Sequence, residues 1–335
     1  VSLRLSVVVA TYNRGAQLLD LLRDLEKQTL PPAQFEVVVI DDGSKVPAET
    51  FVKDFQSTYS LTLRRQVNAG PAAARHHGVQ LARGAIVVVT DDDMRLSEDF
   101  LQQHLQAHDA GATVVLGLIA PAPNLKRLPV FEKFHAQKLE DFVQGVRAGT
   151  EQVRGISVCT GNVSFRREAY LRLGGFDASL ARSEDRELGV RLEKDGGKLV
   201  FVEGARVVHE SDHADATVWL KRACDYGIYD RRIAGKHPDV ETADPWRFLF
   251  LINPVSRALM AVPLLSPALG GHLSRLVLHS ADLTDKLGWQ GAAIKGATLS
   301  YGLQYFRGVR TDAGSLRQVL RDVQQYLRKR AHAHA

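Results

Sequence analysis

Asp91, Asp92 and Asp93 follow one another directly after an apolar, β-branched run, Ala85–Thr90. Carboxylates crowded this closely repel. A divalent cation relieves the repulsion, and carboxylate oxygen suits Mg2+ or Mn2+, ions that keep open positions for phosphate oxygens. The plainer reading is a solvated turn, or an N-cap cluster for a helix near Glu98. A second acidic group, Asp41-Asp42-Gly43-Ser44, ends another apolar run, Phe35–Ile40. An aspartate there can accept hydrogen bonds from a nucleobase imide or a ribose hydroxyl, and it also fits an ordinary Asp-Gly turn. Asn68-Ala69-Gly70-Pro71 opens a helical stretch whose N-terminus favours phosphate, with Arg75 one turn in. Arg75 could equally be a surface arginine.

The segments around these groups alternate between strand and helix. Leu3–Ala10, Phe35–Ile40, Leu61–Gln66 and Ala85–Thr90 read as strands. Asn13 is a possible N-cap for a helix carrying Leu18, Leu19, Leu22 and Leu25, and helices are expected near Ala48–Gln56 and Ala72–Arg83. Apolar strands alternating with helices imply a mixed, mostly parallel sheet with helices on both faces, an α/β fold. Ligands of such sheets bind beyond the carboxyl ends of the strands. Thr11-Tyr12-Asn13, Asp41-Asp42 and Asp91-Asp92-Asp93 all lie at such ends. Further on, Glu98–His108 and Val130–Arg147 read as helices and Ala112–Ile119 as a strand. Ser183 is placed to cap a helix from Glu184 to Lys194, and Leu199–Val202 and Ala205–Val208 read as two strands leading to His209.

The chain has 335 residues, 45% apolar and 24% charged, which suits about two globular domains and argues against disorder, a collagen-like repeat or a polytopic membrane protein. Cys159 and Cys224 are too few for a disulfide framework or a thiolate zinc site, so a reducing compartment is expected, and Cys159 reads as a small buried hydrophobe. Val1–Ala10 has no basic leader or small-residue cleavage site, so no secretory signal is read there. The dinucleotide fingerprint and the phosphate loop ending in Gly-Lys-Ser/Thr are both missing, which counts against a dehydrogenase and a nucleoside triphosphatase.

Residues 236–335 hold 13 Lys/Arg against 7 Asp/Glu, whereas the rest of the chain is nearly balanced. Phe248–Gly271 carries one charge, Arg257, but three prolines, Pro254, Pro263 and Pro267. A simple spanning helix is therefore not expected, and a broken segment in a membrane interface is. Leu316, Val319, Leu320, Val323 and Leu327 form a helical stripe among basic residues. Packing on the preceding domain would also explain that stripe. An anionic membrane surface is favoured as partner over nucleic acid.

Taken together, Val7 through Arg14, Val39 through Ser44, Asn68 through Arg75 and Thr90 through Asp93 resemble family 2 glycosyltransferases of the GT-A fold. So do Gly161 through Arg167, Gly174-Gly175-Phe176-Asp177 and Ser183-Glu184-Asp185. The resemblance covers residues 3 to about 210. It implies an inverting transfer from a nucleotide diphosphate sugar, with a UDP-sugar favoured, using Mn2+ or Mg2+. Ala10, Thr11, Tyr12 and Arg14 would line the nucleotide, with Ala10 and Tyr12 flanking the base. Asp42 would bind the base edge, with Asp41, Gly70 and Arg75 nearby. Asp93 is the expected metal contact, with Asp91 or Asp92 toward ribose and metal. Asp185 would be the catalytic base, with Glu184 its rival. Thr160, Gly161 and Asn162 would line the acceptor and diphosphate side. His209 is a candidate third metal ligand, ahead of His213.

These readings give a GT-A catalytic domain over 1–235 and a basic helical region over 236–335. The acceptor would be a glycan or a lipid-linked molecule, and the setting bacterial surface polysaccharide synthesis on the inner face of the cytoplasmic membrane. Trp219 could be a sugar platform but fits helix packing better. A sugar-phosphate nucleotidyltransferase would carry a glycine-rich N-terminal loop, which Ala10–Gly15 lacks. A non-catalytic scaffold would have lost Asp93 or Asp185, and both are present.

Overall fold

The computed structural model describes residues 2–210 and 215–333. The chain divides into two compact units, Val1–Pro123 with Leu139–Ser211, and Asn124–Lys138 with Asp212–Ala335. His213 lies outside the described residues.

The first unit opens with β1 (Leu5–Thr11), α1 (Gly15–Leu25), β2 (Phe35–Asp41), a single turn α2 (Glu49–Val52) and β3 (Ser60–Arg65). It continues through α3 (Pro71–Leu81), β4 (Ile86–Asp91), β5 (Met94–Leu96), α4 (Phe100–Asp109) and β6 (Val114–Pro121). After α5 (Val130–Arg147), which begins in the second unit, come β7 (Asn162–Arg166), α6 (Arg167–Arg172), α7 (Glu184–Lys194) and β8 (Leu199–His209). Among the described residues eight strands form one sheet in the order β3-β2-β1-β4-β7-β6-β8-β5. Pairing is parallel from β3 to β4 and between β6 and β8, and antiparallel at β7 and at β5.

Strand side chains alternate between faces, and the core follows that alternation. Val7, Val9, Val37, Val39 and Val88 pack with Leu18, Leu21, Leu22 and Leu25 of α1 and with Phe100, Leu101 and Leu105 of α4. Val8, Val38, Ile40, Val87 and Val89 pack on the other face with Ala74 and Val79 of α3 and Leu188 and Leu192 of α7. Continuous β-branched runs are what a sheet covered on both sides requires.

Three local expectations change. Asn13 does not cap α1: the cap position is Arg14, and Asn13 sits at φ 58, its side-chain oxygen accepting the Lys45 amide at 2.7 Å. Ser183 precedes α7 at φ 61 and makes no side-chain cap. The two strands expected over residues 199–208 are one, because β8 pairs with β6 on both sides of an irregularity at Gly117/Leu118. Asn162 closes that gap, its amide donating to Ala205 O at 2.9 Å and Leu118 O at 3.1 Å. A Cβ on Gly117 would overlap this amide.

The second unit is helical: the start of α5, then α8 (Ala216–Lys236), α9 (Trp246–Leu251), α10 (Pro254–Leu259), α11 (Ala261–Leu265), α12 (Pro267–Lys286), α13 (Gln290–Ala313) and α14 (Leu316–Ala333). The expected boundary at 235/236 falls at the end of α8, which lies wholly in this unit. Pro254 and Pro267 begin helices, where their missing N–H costs nothing. They break the apolar stretch into short pieces. Among the described residues no helix is long and apolar enough to cross a membrane. Trp219 is buried against Phe131, its indole N–H bonded to His135 at 2.7 Å, in keeping with the packing reading.

Candidate active site

Register assembles the site. β1 lies between β2 and β4, so Thr11 faces Asp41 on one side and Ala10 faces Asp91 on the other. Strand order reverses between β1 and β4, the place where sheets of this kind leave a crevice. At the far edge, Met94 of β5 pairs with His209 of β8. That short antiparallel ladder brings the imidazole Nε2 of His209 to 3.6 Å from Asp93 Oδ2.

The β4 carboxylates have distinct partners. Asp93 pairs through Oδ2 with Arg14, while its buried Oδ1 has no hydrogen-bond partner. Burial works to raise the Asp93 pKa, but His209 and Arg14 outweigh it and hold the group at about 2. Asp92 is buried, and that burial pushes it up to about 7, with Arg14 Nη1 3.5 Å away. Asp91 is more exposed and accepts from Arg75 Nη2 at 2.6 Å.

Arg75 is the link that the sequence reading did not foresee. Its other amino group donates to Glu184 Oε1 at 3.0 Å, at the start of α7. One guanidinium thus ties the β4 acidic turn to the Glu184-Asp185 pair. Burial would weaken its proton affinity, but Asp91 and Glu184 raise it, so Arg75 stays charged. Glu184 is buried in this ion pair, with its pKa raised by burial and by Asp185. Asp185 is only half-buried and accepts the Thr160 amide at 3.2 Å. An arginine inside an otherwise acidic constellation was the one available signal for the link.

The acceptor-side residues separate. Thr160 stands beside Asp185. Gly161 is close to Asp91, since a Cβ there would lie 3.6 Å from Asp91 Oδ2. Asn162 turns its side chain into the core, where it closes the β6–β8 gap and bonds His104 at 3.0 Å. Only its backbone can face the crevice. Cys159 is exposed rather than buried.

Asp41 and Asp42 are both engaged by the chain's own donors. Asp41 accepts the amides of Ser44 (2.8 Å) and Ala48 (3.0 Å). Asp42 Oδ1 accepts Gln66 Nε2 (2.8 Å) and Ala69 N (2.9 Å), and Oδ2 accepts Gly70 N (2.9 Å). Both carboxylates are buried and hold the loops around them. Gly43, at φ 79, is needed because a Cβ would stand 2.8 Å from Asn68 N. Gly70, at φ 89, carries the chain into α3. Thr11 is buried and Tyr12 is 47% exposed at the mouth.

The expected metal set is thus partly together. Asp93 and His209 are neighbours, whereas Asp91 is engaged by Arg75, and among the described residues no three His, Cys, Asp or Glu side chains form a ready metal cluster. A buried carboxylate with one oxygen unpartnered and the other near an imidazole fits Mn2+ or Mg2+ provided that phosphate and water complete the shell.

Validoxylamine A glucosyltransferase of Streptomyces hygroscopicus subsp. limoneus is 29% identical over 265 residues, 70% of this chain and 57% of that protein. The chain thus spans a little over half the length of that relative. Glucosyl-dolichyl phosphate glucuronosyltransferase of Haloferax volcanii is 24% identical over 245 residues, 69% of this chain and 77% of the relative. Mannosyltransferase PcManGT from Pyrobaculum calidifontis, solved with GDP-Man and Mn2+, has a TM-score of 0.60 at 21% identity, covering 89% of this chain and 86% of that one. S. aureus TarS 1–349 with UDP-GlcNAc has a TM-score of 0.51 at 16% identity, covering 89% and 90%. These likenesses show the GT-A fold. The family model described as "Glycosyl transferase family 2" matches residues 6–173, half of the chain, and the chain belongs to that family.

Proposed function

We propose that this chain is an inverting, metal-dependent glycosyltransferase that moves a sugar from a nucleoside diphosphate to a hydroxyl of a glycan or lipid-linked acceptor. The link through Arg75 carries the proposal, because it joins the acidic turn after β4 to the pair Glu184-Asp185. The acceptor oxygen forms its bond to the anomeric carbon as the bond to the diphosphate oxygen breaks. The acceptor proton passes to Asp185. No covalent sugar–enzyme species is needed, so configuration inverts.

Asp185 is preferred to Glu184 as base because Glu184 is buried and bound to Arg75, whereas Asp185 is half-buried beside Thr160. A base needs hydrogen-bond reach to its proton. Asp93 and His209 would hold the divalent ion, with Asp91 nearby. When bound, that ion offsets the charge of the departing diphosphate. Arg14 orients Asp93 and Asp92. Tyr12 and Ala10 would flank the base. Asp42 Oδ2, which accepts a single bond, has capacity for one further donor such as a uracil imide. That favours a UDP-sugar. A location on the inner face of the cytoplasmic membrane, in surface polysaccharide synthesis, would suit a lipid-linked acceptor and the basic C-terminal region.

The test is the thermal midpoint against a panel of nucleoside diphosphates and nucleotide sugars, each with and without Mn2+. A ligand of the folded state raises the midpoint by mass action. A metal-dependent rise confined to one base is expected; no rise with any of them would remove the nucleotide site.

A further inference from the structure

We infer that the second unit meets an anionic lipid surface through one face of α12. This deepens the membrane part of the proposed function and rests on it, but not on the donor chemistry. Leu269, Leu276 and Leu283 are spaced seven apart, so they form one line along the helix. All three are exposed, at 61%, 66% and 49%, and Leu287 continues the line at 71%. The opposite face of α12 is occupied, with Leu278 and Ala281 buried against α13 and α5 residues.

Charge selects the occupant. Arg275 stands on one edge of the leucine line with His272, 2.9 Å from its guanidinium, and His279, while Lys286 at the end of that edge is paired with Asp282 at 2.6 Å. Between Asp244 and Asp282 the chain has no acidic residue, while Arg247, Arg257 and Arg275 are basic. An apolar stripe in an acid-free stretch that carries only arginine charge is the pattern of a helix lying in a headgroup layer. α14, the more conspicuous candidate in sequence, is already held within its unit. Val319 and Tyr326 are buried and Asp322 pairs with Arg231 at 2.9 Å. Its expected stripe is therefore divided between core and surface.

Trp289, 68% exposed just beyond α12, is a built-in reporter, because the other two tryptophans, Trp219 and Trp246, are buried. The experiment is co-sedimentation of the full chain with phosphatidylglycerol–phosphatidylcholine vesicles and with phosphatidylcholine alone, alongside Trp emission. Binding to the anionic vesicles with a blue shift is expected. The variant Leu269→Gln/Leu276→Gln/Leu283→Gln should bind about a hundredfold more weakly, since interfacial binding scales with buried apolar area. Glutamine keeps helix propensity, and an unchanged thermal midpoint checks the fold. Should the triple variant fail to fold, quenching of Trp289 in the native chain by brominated lipid decides alone. Equal binding by the variant, or no quenching, overturns the inference. So does a native chain that ignores vesicles, whether it stays monomeric or pairs with a second copy through the stripe. A nucleotide-dependent thermal shift that persists in those cases leaves the glycosyltransferase reading standing.

Discussion

Asp41 and Asp42, at the end of β2, direct their oxygens to the chain's own amides between Ser44 and Gly70. Two strands along, at the end of β4, Asp93 keeps a buried oxygen unpartnered and Asp91 faces an arginine rather than the backbone. Each oxygen of the first pair already accepts a bond from the chain itself. The second group is held in place by cations, Arg14 and Arg75. Identical side chains at equivalent strand ends therefore do different work. A carboxylate whose oxygens both meet the chain's own donors shapes a loop, even where, as at Asp42 Oδ2, one further donor can still be accepted, whereas one with a bare buried oxygen is open to a cation. Substitution at the two strand ends should accordingly separate stability from activity.

The largest separation is expected at the end of the Arg75 link. Asp185→Asn should lower kcat by about 10³-fold or more, the range for loss of a general base, while the thermal response to nucleotide with Mn2+ persists. Normal turnover in a steady-state assay would move the base to another residue. Asp93→Ala should act one step earlier, abolishing the metal-dependent part of the nucleotide-induced rise in midpoint. At saturating ligand that part is worth about 2–3 kcal/mol for a hundredfold excess over Kd. An undiminished rise would detach Asp93 from the metal.

Much of this was legible from strand-end position alone. β-branched runs such as Val37–Ile40 and Val87–Val89 announce strands buried on both faces, and their acidic ends then fall at the crevice. The helices of α5 and α7 also match their periodicity at both ends. What the sequence hides is which oxygen meets which donor. Arg75 lies 16 residues from Asp91 and 109 from Glu184, and no local pattern joins them. The same holds for Asn162, whose neighbours in sequence suggested the crevice. Its amide instead answers two backbone carbonyls exposed by the β6–β8 irregularity, a long-range demand invisible to spacing.

A smaller effect should mark the scaffold carboxylates. Asp41→Ala would leave the amides of Ser44 and Ala48 without their acceptor. Unsatisfied buried donors cost about 1–3 kcal/mol, so a lowered midpoint is expected in the absence of any ligand. Asp93→Ala loses its contacts with Arg14 and His209 but orphans no buried backbone amide, so a smaller loss than that of Asp41→Ala is expected. Equal destabilisation by the two variants would erase the contrast between the strand ends.

The smallest expected effect tests a polar group that the ligand site does not use. His104 and His108 both reach Ser164 Oγ at 2.8 Å beneath β7, and His104 also bonds Asn162. Burial lowers them to about 3 and about 4, so both are neutral in the folded protein. The unfolded chain takes up their protons near pH 6.5. Stability from this pair is therefore present above pH 6.5 and is lost progressively as pH falls toward the folded values. Between pH 7 and pH 6 the loss should be about 1 kcal/mol for the pair. Thermal midpoints across that interval should show it, and His108→Gln should flatten the dependence. An unaltered slope in that variant would assign the acid response to other groups and leave the contrast between the β2 and β4 carboxylates to be judged on ligand binding alone.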